Sequence, residues 1–178
     1  MERNKKALIA LAKEGDKDAF GELYTLYFTP VFRYIFYRVR NKEEAEDLVQ
    51  TVFLKIFQSG GTYTDTGVPP LAYCYTVARN TVIDHWRKKK DFSLEELEKE
   101  PVANDDPHEY AMAEEKKAWA ERAVGVLEGE QQDVIILRFL NEMSTKEIAS
   151  MLGKSEAAVR QVQCRALKVL RKHIQHYE

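Results

Sequence analysis

The chain has 178 residues, 44% of them hydrophobic and 31% charged, and a formal charge of −2. That length suits one large domain or two small ones with packed cores, and the near-neutral total excludes a protein that holds nucleic acid by bulk positive charge. Charge is instead ordered along the chain: Arg79 to Lys90 has five basic residues and one acid, Asp91 to Glu115 ten acids and one Lys, and Lys154 to Lys172 six basic residues and one acid.

Cys74 and Cys164 are far apart and lack close His or Cys neighbours, which argues against a metal site and for a reduced compartment. No cofactor and no small-molecule ligand is expected. No N-terminal signal pattern is present, and the longest apolar runs fall far short of the ~20 residues of a membrane span. The expected location is the cytoplasm, without membrane insertion.

Lys5 to Glu14 reads as a short amphipathic helix closed by Gly15, after which Asp16 or Asp18 caps a second helix with Phe20, Leu23, Tyr24, Tyr27 and Phe28 on its apolar stripe. Pro30 marks a break or a helix start. Val31 to Arg40 is apolar nearly all round apart from its arginines, a pattern expected of a packed helix whose Arg side chains snorkel to the surface. Asn41 opens a third helix that buries Ala45, Leu48, Val49, Val52, Phe53, Ile56 and Phe57. Its acids, Glu43, Glu46 and Asp47 with Gln50 beside them, fit either a solvated face near a helix N-terminus or a protein-docking face.

Ser59 to Pro70 contains three Gly and two Pro and cannot be helix; it is a loop longer than most connections. Leu71 to Lys90 returns to helix, with Leu71, Tyr75, Ala78, Val82 and Trp86 inward and a basic end, Arg87 to Lys90. A basic helix end beside an aromatic-bearing loop offers charge for a single-stranded backbone and rings or amides for its bases. The same Lys-rich end also complements the helix dipole. Asp91 to Tyr110, with Pro101 and Pro107 among its acids, reads as an extended linker. Glu109 to Leu127 gives another amphipathic helix anchored by Met112, Trp119, Ala123, Val126 and Leu127, and Gln131 to Asn141 packs through Val134, Ile135, Leu137, Phe139 and Leu140.

Ser144 to Lys172 reads as two helices joined at Gly153, the second one basic. Ser144 and Glu147 have the spacing of a capping box, and Ser155 can cap the second helix. Its stripe of Val159, Val162, Ala166, Val169 and Leu170 turns Ala157, Arg160, Gln161, Cys164, Arg165 and Lys168 outward. This is the pattern of a helix-turn-helix, in which Arg and Gln read base edges in the major groove and Arg and Lys hold phosphates. A solvated amphipathic helix pair would share it.

Four blocks then occur in a fixed order: G-D-K-D-A-F-G-E-L-Y at 15 to 24, E-A-E-D-L-V-Q-T-V-F-L-K-I-F at 44 to 57, A-R-N-T-V-I-D-H-W-R at 78 to 87, and D-V-I-I-L-R-F at 133 to 139 leading into the helix-turn-helix. Together they resemble the extracytoplasmic-function (ECF) sigma factors, two-domain initiation factors of bacterial RNA polymerase. The resemblance implies an all-α fold of two small helical domains, 1–90 and 111–178, joined by an acidic flexible linker at 91–110, the C-terminal domain being the helix-turn-helix. It implies core RNA polymerase as a partner, through the clamp coiled coil and the flap, with Glu46, Asp47 and Gln50 docking on the clamp. It also implies promoter DNA. The minus-10 element would be read as a single strand by Tyr63, Tyr73, Thr76, Arg79, Asn80, Arg87 and Lys88, and the minus-35 duplex by Glu156, Ala157, Arg160, Gln161, Cys164, Arg165 and Lys168. A cognate anti-sigma factor is implied as well. The chain departs from the family pattern at Thr51, Tyr73, Thr76, Glu156 and Gln161, which leaves the promoter sequence unread.

Two other classes fit less of the chain. An ordinary helix-turn-helix repressor or activator leaves the acidic linker and the Asp47 helix without a role. A nucleic-acid enzyme lacks a converging set of catalytic groups, since the carboxylates at 43, 44, 46 and 47 lie along one helical turn; the chain is expected not to be an enzyme.

Overall fold

Short polar caps set where two helices of the N-terminal half begin. In the computed structural model, which describes residues 2–59, 69–92 and 111–174, helix α1 spans Glu2–Lys13 and the turn after it holds Gly15 at φ 91°, a conformation cheap only for glycine. Asp16, not Asp18, caps α2 (Lys17–Val39), its carboxylate accepting from the backbone N–H groups of Asp18 and Ala19. Asn41 caps α3 (Lys42–Gln58) by accepting from the Glu44 N–H. Helix α4 (Pro70–Phe92) starts at a proline, where a missing N–H costs nothing.

Pro30 neither breaks nor starts a helix: α2 runs through it. An internal proline costs about 3 kcal/mol, and burial of Leu23 and Tyr27 before it and of Val31, Tyr34 and Ile35 after it, all on one face, offsets that cost. Stripes from α1 to α4 meet in one core around Ile9, Leu23, Tyr34, Val49, Phe53, Ile56, Tyr75 and Val82. Cys74 is part of it, and burial pushes its thiol up to about 12.

The C-terminal half is built from α5 (Ala111–Gly125), α6 (Gly129–Ile135), a π-helical turn (Ile136–Leu140), α7 (Thr145–Leu152) and α8 (Glu156–Ile174). Its buried Val124, Val134, Ile136, Leu137, Met143, Ile148, Ala149 and Val159 join the same apolar cluster as the N-terminal helices, while Leu127, Ile135 and Ala166 form a smaller one with Val169 and Leu170. No helix among the described residues is long and apolar enough to cross a membrane.

Three packing expectations need correction. The anchors of α5 are Ala120 and Val124, with Leu127 just beyond, and Trp119 is 53% exposed; the Met112 side chain lies outside the described residues. Phe139 is 51% exposed: with Val134, Ile136 and Leu137 buried, a helical advance of about 100° per residue carries Phe139 to the far side, within a π turn closed by the Asn141 N–H on the Ile136 carbonyl. The arginines of α2 do not all snorkel into water. Arg38 reaches Gln132 and lies 3.2 Å from the Asp133 carboxylate, and Arg33 donates to the Leu140 carbonyl at 3.0 Å. Both cross to the C-terminal half. The loop at 60–68 and the linker at 93–110 lie outside the described residues.

Candidate nucleic-acid interface

The helix-turn-helix is assembled by local bonds that its sequence spells out. The Ser144 hydroxyl accepts from the Glu147 N–H and the Glu147 carboxylate accepts from the Ser144 N–H at 2.8 Å, a complete capping box on α7. Gly153 ends α7 at φ 63°, ψ 35°, with its N–H turned back to the Ala149 and Ser150 carbonyls. Two residues on, the Ser155 hydroxyl accepts from the Ala158 N–H and starts α8.

Burying Val159 and Ala166 fixes how α8 is rotated. Ala157, Arg160, Gln161, Cys164, Arg165 and Lys168 are all exposed, and Glu156 is half-buried at the start of the helix. The Glu156 carboxylate accepts from Arg160 at 2.9 Å, with both side chains largely in water. This face carries two Arg, a Gln and a Lys, the donors suited to guanine and adenine edges and to phosphates.

On α4 the picture is mixed. Asn80, Arg87 and Lys88 are exposed, whereas Tyr73, Thr76 and Arg79 are half-buried. The Tyr73 hydroxyl lies 3.1 Å from that of Ser59, Thr76 donates to the Ala72 carbonyl, and Arg87 donates to Asp84. Arg79 donates through Nε to Asp133 at 2.9 Å. Tyr63 lies outside the described residues. The basic end of α4 is tied to α3, where Lys89 Nζ and His85 Nε2 lie 2.7 and 3.0 Å from the Glu44 carboxylate. Burial raises the pKa of Glu44, but the hydrogen bonds from Lys89 and His85 outweigh it and hold the carboxyl below its usual range.

Glu46, Asp47 and Gln50 stand exposed on the face of α3 opposite Ala45, Leu48, Val49 and Val52. Leu54 extends that face and is 53% exposed. Sequence reasoning passed over it, although its place seven residues after Asp47, on the same stripe, was a sufficient signal. Asp133 was also passed over as a functional residue. An acid opening an apolar run looks like an ordinary N-terminal dipole partner until its neighbours are known.

The sigma-70 region 2 family model matches residues 23–92 and the sigma-70 region 4 model residues 123–172. The ECF RNA polymerase sigma factor BldN of Streptomyces coelicolor is 38% identical over 167 residues, covering 92% of this chain, which spans 63% of the length of that relative. The ECF RNA polymerase sigma factor SigX of Bacillus subtilis is 30% identical over 169 residues, 89% of this chain and 85% of the relative. Among solved structures, CnrH in complex with the cytosolic domain of CnrY is similar in fold, with a TM-score of 0.75 at 22% identity over 98% of this chain and 99% of that one. Two region models in the right order, and a relative matched over most of both lengths, agree with the motifs and with the outward-turned helix: the chain belongs to the ECF sigma factors of bacterial RNA polymerase.

Proposed function

We propose that the chain directs core RNA polymerase to its promoters, with residues 1–90 docking on the enzyme and capturing the minus-10 strand, 111–178 reading the minus-35 duplex, and 91–110 linking the two. One observation carries this reading: a helix-turn-helix whose two helices are both capped at their starts presents Arg160, Gln161, Cys164, Arg165 and Lys168 to solvent. Arg160 and Gln161 make base-edge contacts, each good bidentate pair being worth about 1–3 kcal/mol against a wrong base. Lys168 holds phosphate, and Glu156, Ala157, Cys164 and Arg165 complete the minus-35 surface.

At minus-10, Tyr63, Tyr73, Thr76, Arg79, Asn80, Arg87 and Lys88 hold the non-template strand. Extruding a base costs a few kcal/mol, which amide hydrogen bonds from Asn80 offset. Glu46, Asp47 and Gln50 dock on the polymerase clamp, and Leu54 adds apolar contact to the same stripe. Bond making is left to polymerase; the chain supplies sequence choice and strand capture, in the cytoplasm. Its family adds the polymerase flap and an anti-sigma factor as further partners. The test is run-off transcription with core polymerase on a promoter library. Transcripts from a defined subset that share two spaced elements are the expected result; transcripts independent of the added protein would overturn it.

A further inference from the structure

The outer face of α8 is basic, yet its first helical residue is an acid. Glu156 follows the Ser155 cap, and its carboxylate accepts from Arg160 Nη2 at 2.9 Å, one turn further on. Both side chains stand largely in water on the surface that the helix-turn-helix presents. Lys154, the cation just before the cap, is drawn instead to Glu130 on α6 at 3.2 Å.

An acid in the first turn has an ordinary role, since it favours the helix dipole and an i,i+4 pair adds a little more. That role accounts for the helix but not for the place. The N-terminal residues of a recognition helix are the ones that reach base edges. A carboxylate brought there without a donor of its own is desolvated unpaired and weakens binding to every sequence. Donors on the major-groove edge are of two kinds, the N4 amino group of cytosine and the N6 amino group of adenine.

Arg160 decides between them. A guanidinium has its N–H donors in two forks that share Nη2, so one Nη2 hydrogen given to Glu156 leaves a complete fork for a base. Read across the groove, the pair presents donor, donor, acceptor. A G·C pair presents guanine N7, guanine O6 and cytosine N4, which is acceptor, acceptor, donor, and matches at all three places. The spacing matches too. The N–H···O bond from cytosine N4 to guanine O6 has the ordinary length of about 2.9 Å, the same as Arg160 Nη2 to Glu156 Oε2. Each of the other three pairs sets an acceptor against the carboxylate: thymine O4 in A·T, adenine N7 in T·A and guanine N7 in C·G.

We propose that Glu156 and Arg160 read one G·C pair of the minus-35 element as a unit, Arg160 on guanine N7 and O6 and Glu156 on cytosine N4 as the specificity-determining residue. This rests on the sigma-factor reading above and adds to it the base pair and the strand that carries the guanine. Arg160 alone accepts any guanine within its reach. Glu156 restricts it to one position and one orientation, because every wrong pair leaves the carboxylate facing an acceptor. An exposed ion pair is weak in water, so the two side chains adjust to the groove without a large cost.

The test uses holoenzyme assembled from core polymerase and either the wild type or Glu156→Ala, on a promoter recovered from the randomised library. Each base pair of its minus-35 element is exchanged in turn, and binding is read by competition with the parent duplex. At one position the wild type is expected to prefer G·C, by a margin about tenfold larger than that of Glu156→Ala. At the remaining positions the two proteins agree within about twofold. A further duplex carries pyrimidin-2-one, a cytosine without its amino group, opposite that guanine. The expected loss is about tenfold for the wild type and under about twofold for Glu156→Ala, and comparing the two proteins cancels any change in the duplex itself. No G·C preference in the wild type, equal losses on removing the amino group, or a uniform weakening of all sequences by Glu156→Ala would overturn the proposal. Run-off transcription on the same library separates it from the parent reading. Transcripts independent of either protein would remove the sigma-factor function and this role with it, whereas selective transcripts without a Glu156-dependent pair would remove this role alone.

Discussion

Two arginine–carboxylate pairs of equal length sit in opposite surroundings. Arg160 meets Glu156 at 2.9 Å on the outer face of α8, with the side chains 64% and 44% exposed; Arg79 meets Asp133 at 2.9 Å with 26% and 1% exposed. Water makes the first pair worth about 0–1 kcal/mol, so Arg160 can leave Glu156 for a base at little cost. The second pair is shielded and shared with Arg38 and Tyr34, so it orders two regions. Geometry alone would call them equivalent; exposure separates the proposed reading surface from a junction.

The largest effect that sharpens this contrast lies in the core beside the junction. Leu137→Ala, at a fully buried site, should cost about 2–5 kcal/mol, read from denaturant melts. Phe139→Ala, two residues on, should stay within about 0.5 kcal/mol. Comparable losses from the two would contradict the opposite burial of these two side chains.

On the exposed side, Gln161→Ala should cost about 1–3 kcal/mol of promoter binding by holoenzyme and relax preference at one or two positions. Lys168→Ala should weaken all sequences alike. A competition assay over single-base promoter variants distinguishes the two, and a uniform loss from both would remove the base-reading role.

Ser144→Ala should cost about 1 kcal/mol of stability through the lost cap on α7. On α3, the double change Asp47→Ala with Gln50→Ala should leave the melting temperature nearly unchanged, within ~0.5 kcal/mol, yet lower affinity for core polymerase. Leu54→Ala should act in the same direction. Unchanged core affinity in all of them would return this face to plain solvation.

The smallest effect is electrostatic. The folded pKa of Glu44 lies below its ordinary 4.5, so its bonds to Lys89 and His85 contribute stability fully above the unfolded pKa, and that contribution disappears as pH falls through the folded one. Acid titration of melting temperature should therefore show a shallower decline below pH 4.5 in Glu44→Gln than in wild type. Parallel curves would show that solvent screening cancels the pair.

Much of this was legible in the sequence because it is local. A cap is read from residues three apart, as with Asn41, Ser144 and Glu147, and a helical stripe from spacing, as with Val159 and Ala166. The exposed candidates on α8, Ala157, Arg160, Gln161, Cys164, Arg165 and Lys168, follow as the complement of the stripe. What escaped depends on distant partners or on a change of period. Pro30 reads as punctuation until burial on both sides outweighs it, and Phe139 reads as core until the burial of Val134, Ile136 and Leu137 puts it on the far side. Arg38 reads as a snorkelling side chain until Asp133 arrives from 95 positions downstream.

Promoter choice is proposed to be made by this sigma factor together with polymerase, through both of its regions at once, and one titration tests it directly. A labelled duplex of a promoter that the holoenzyme transcribes is titrated at physiological salt with the protein alone and with core enzyme added. The account predicts weak, poorly selective binding by the protein alone and nanomolar, sequence-selective binding by the holoenzyme. Nanomolar, selective binding of the full promoter by the protein alone would contradict it.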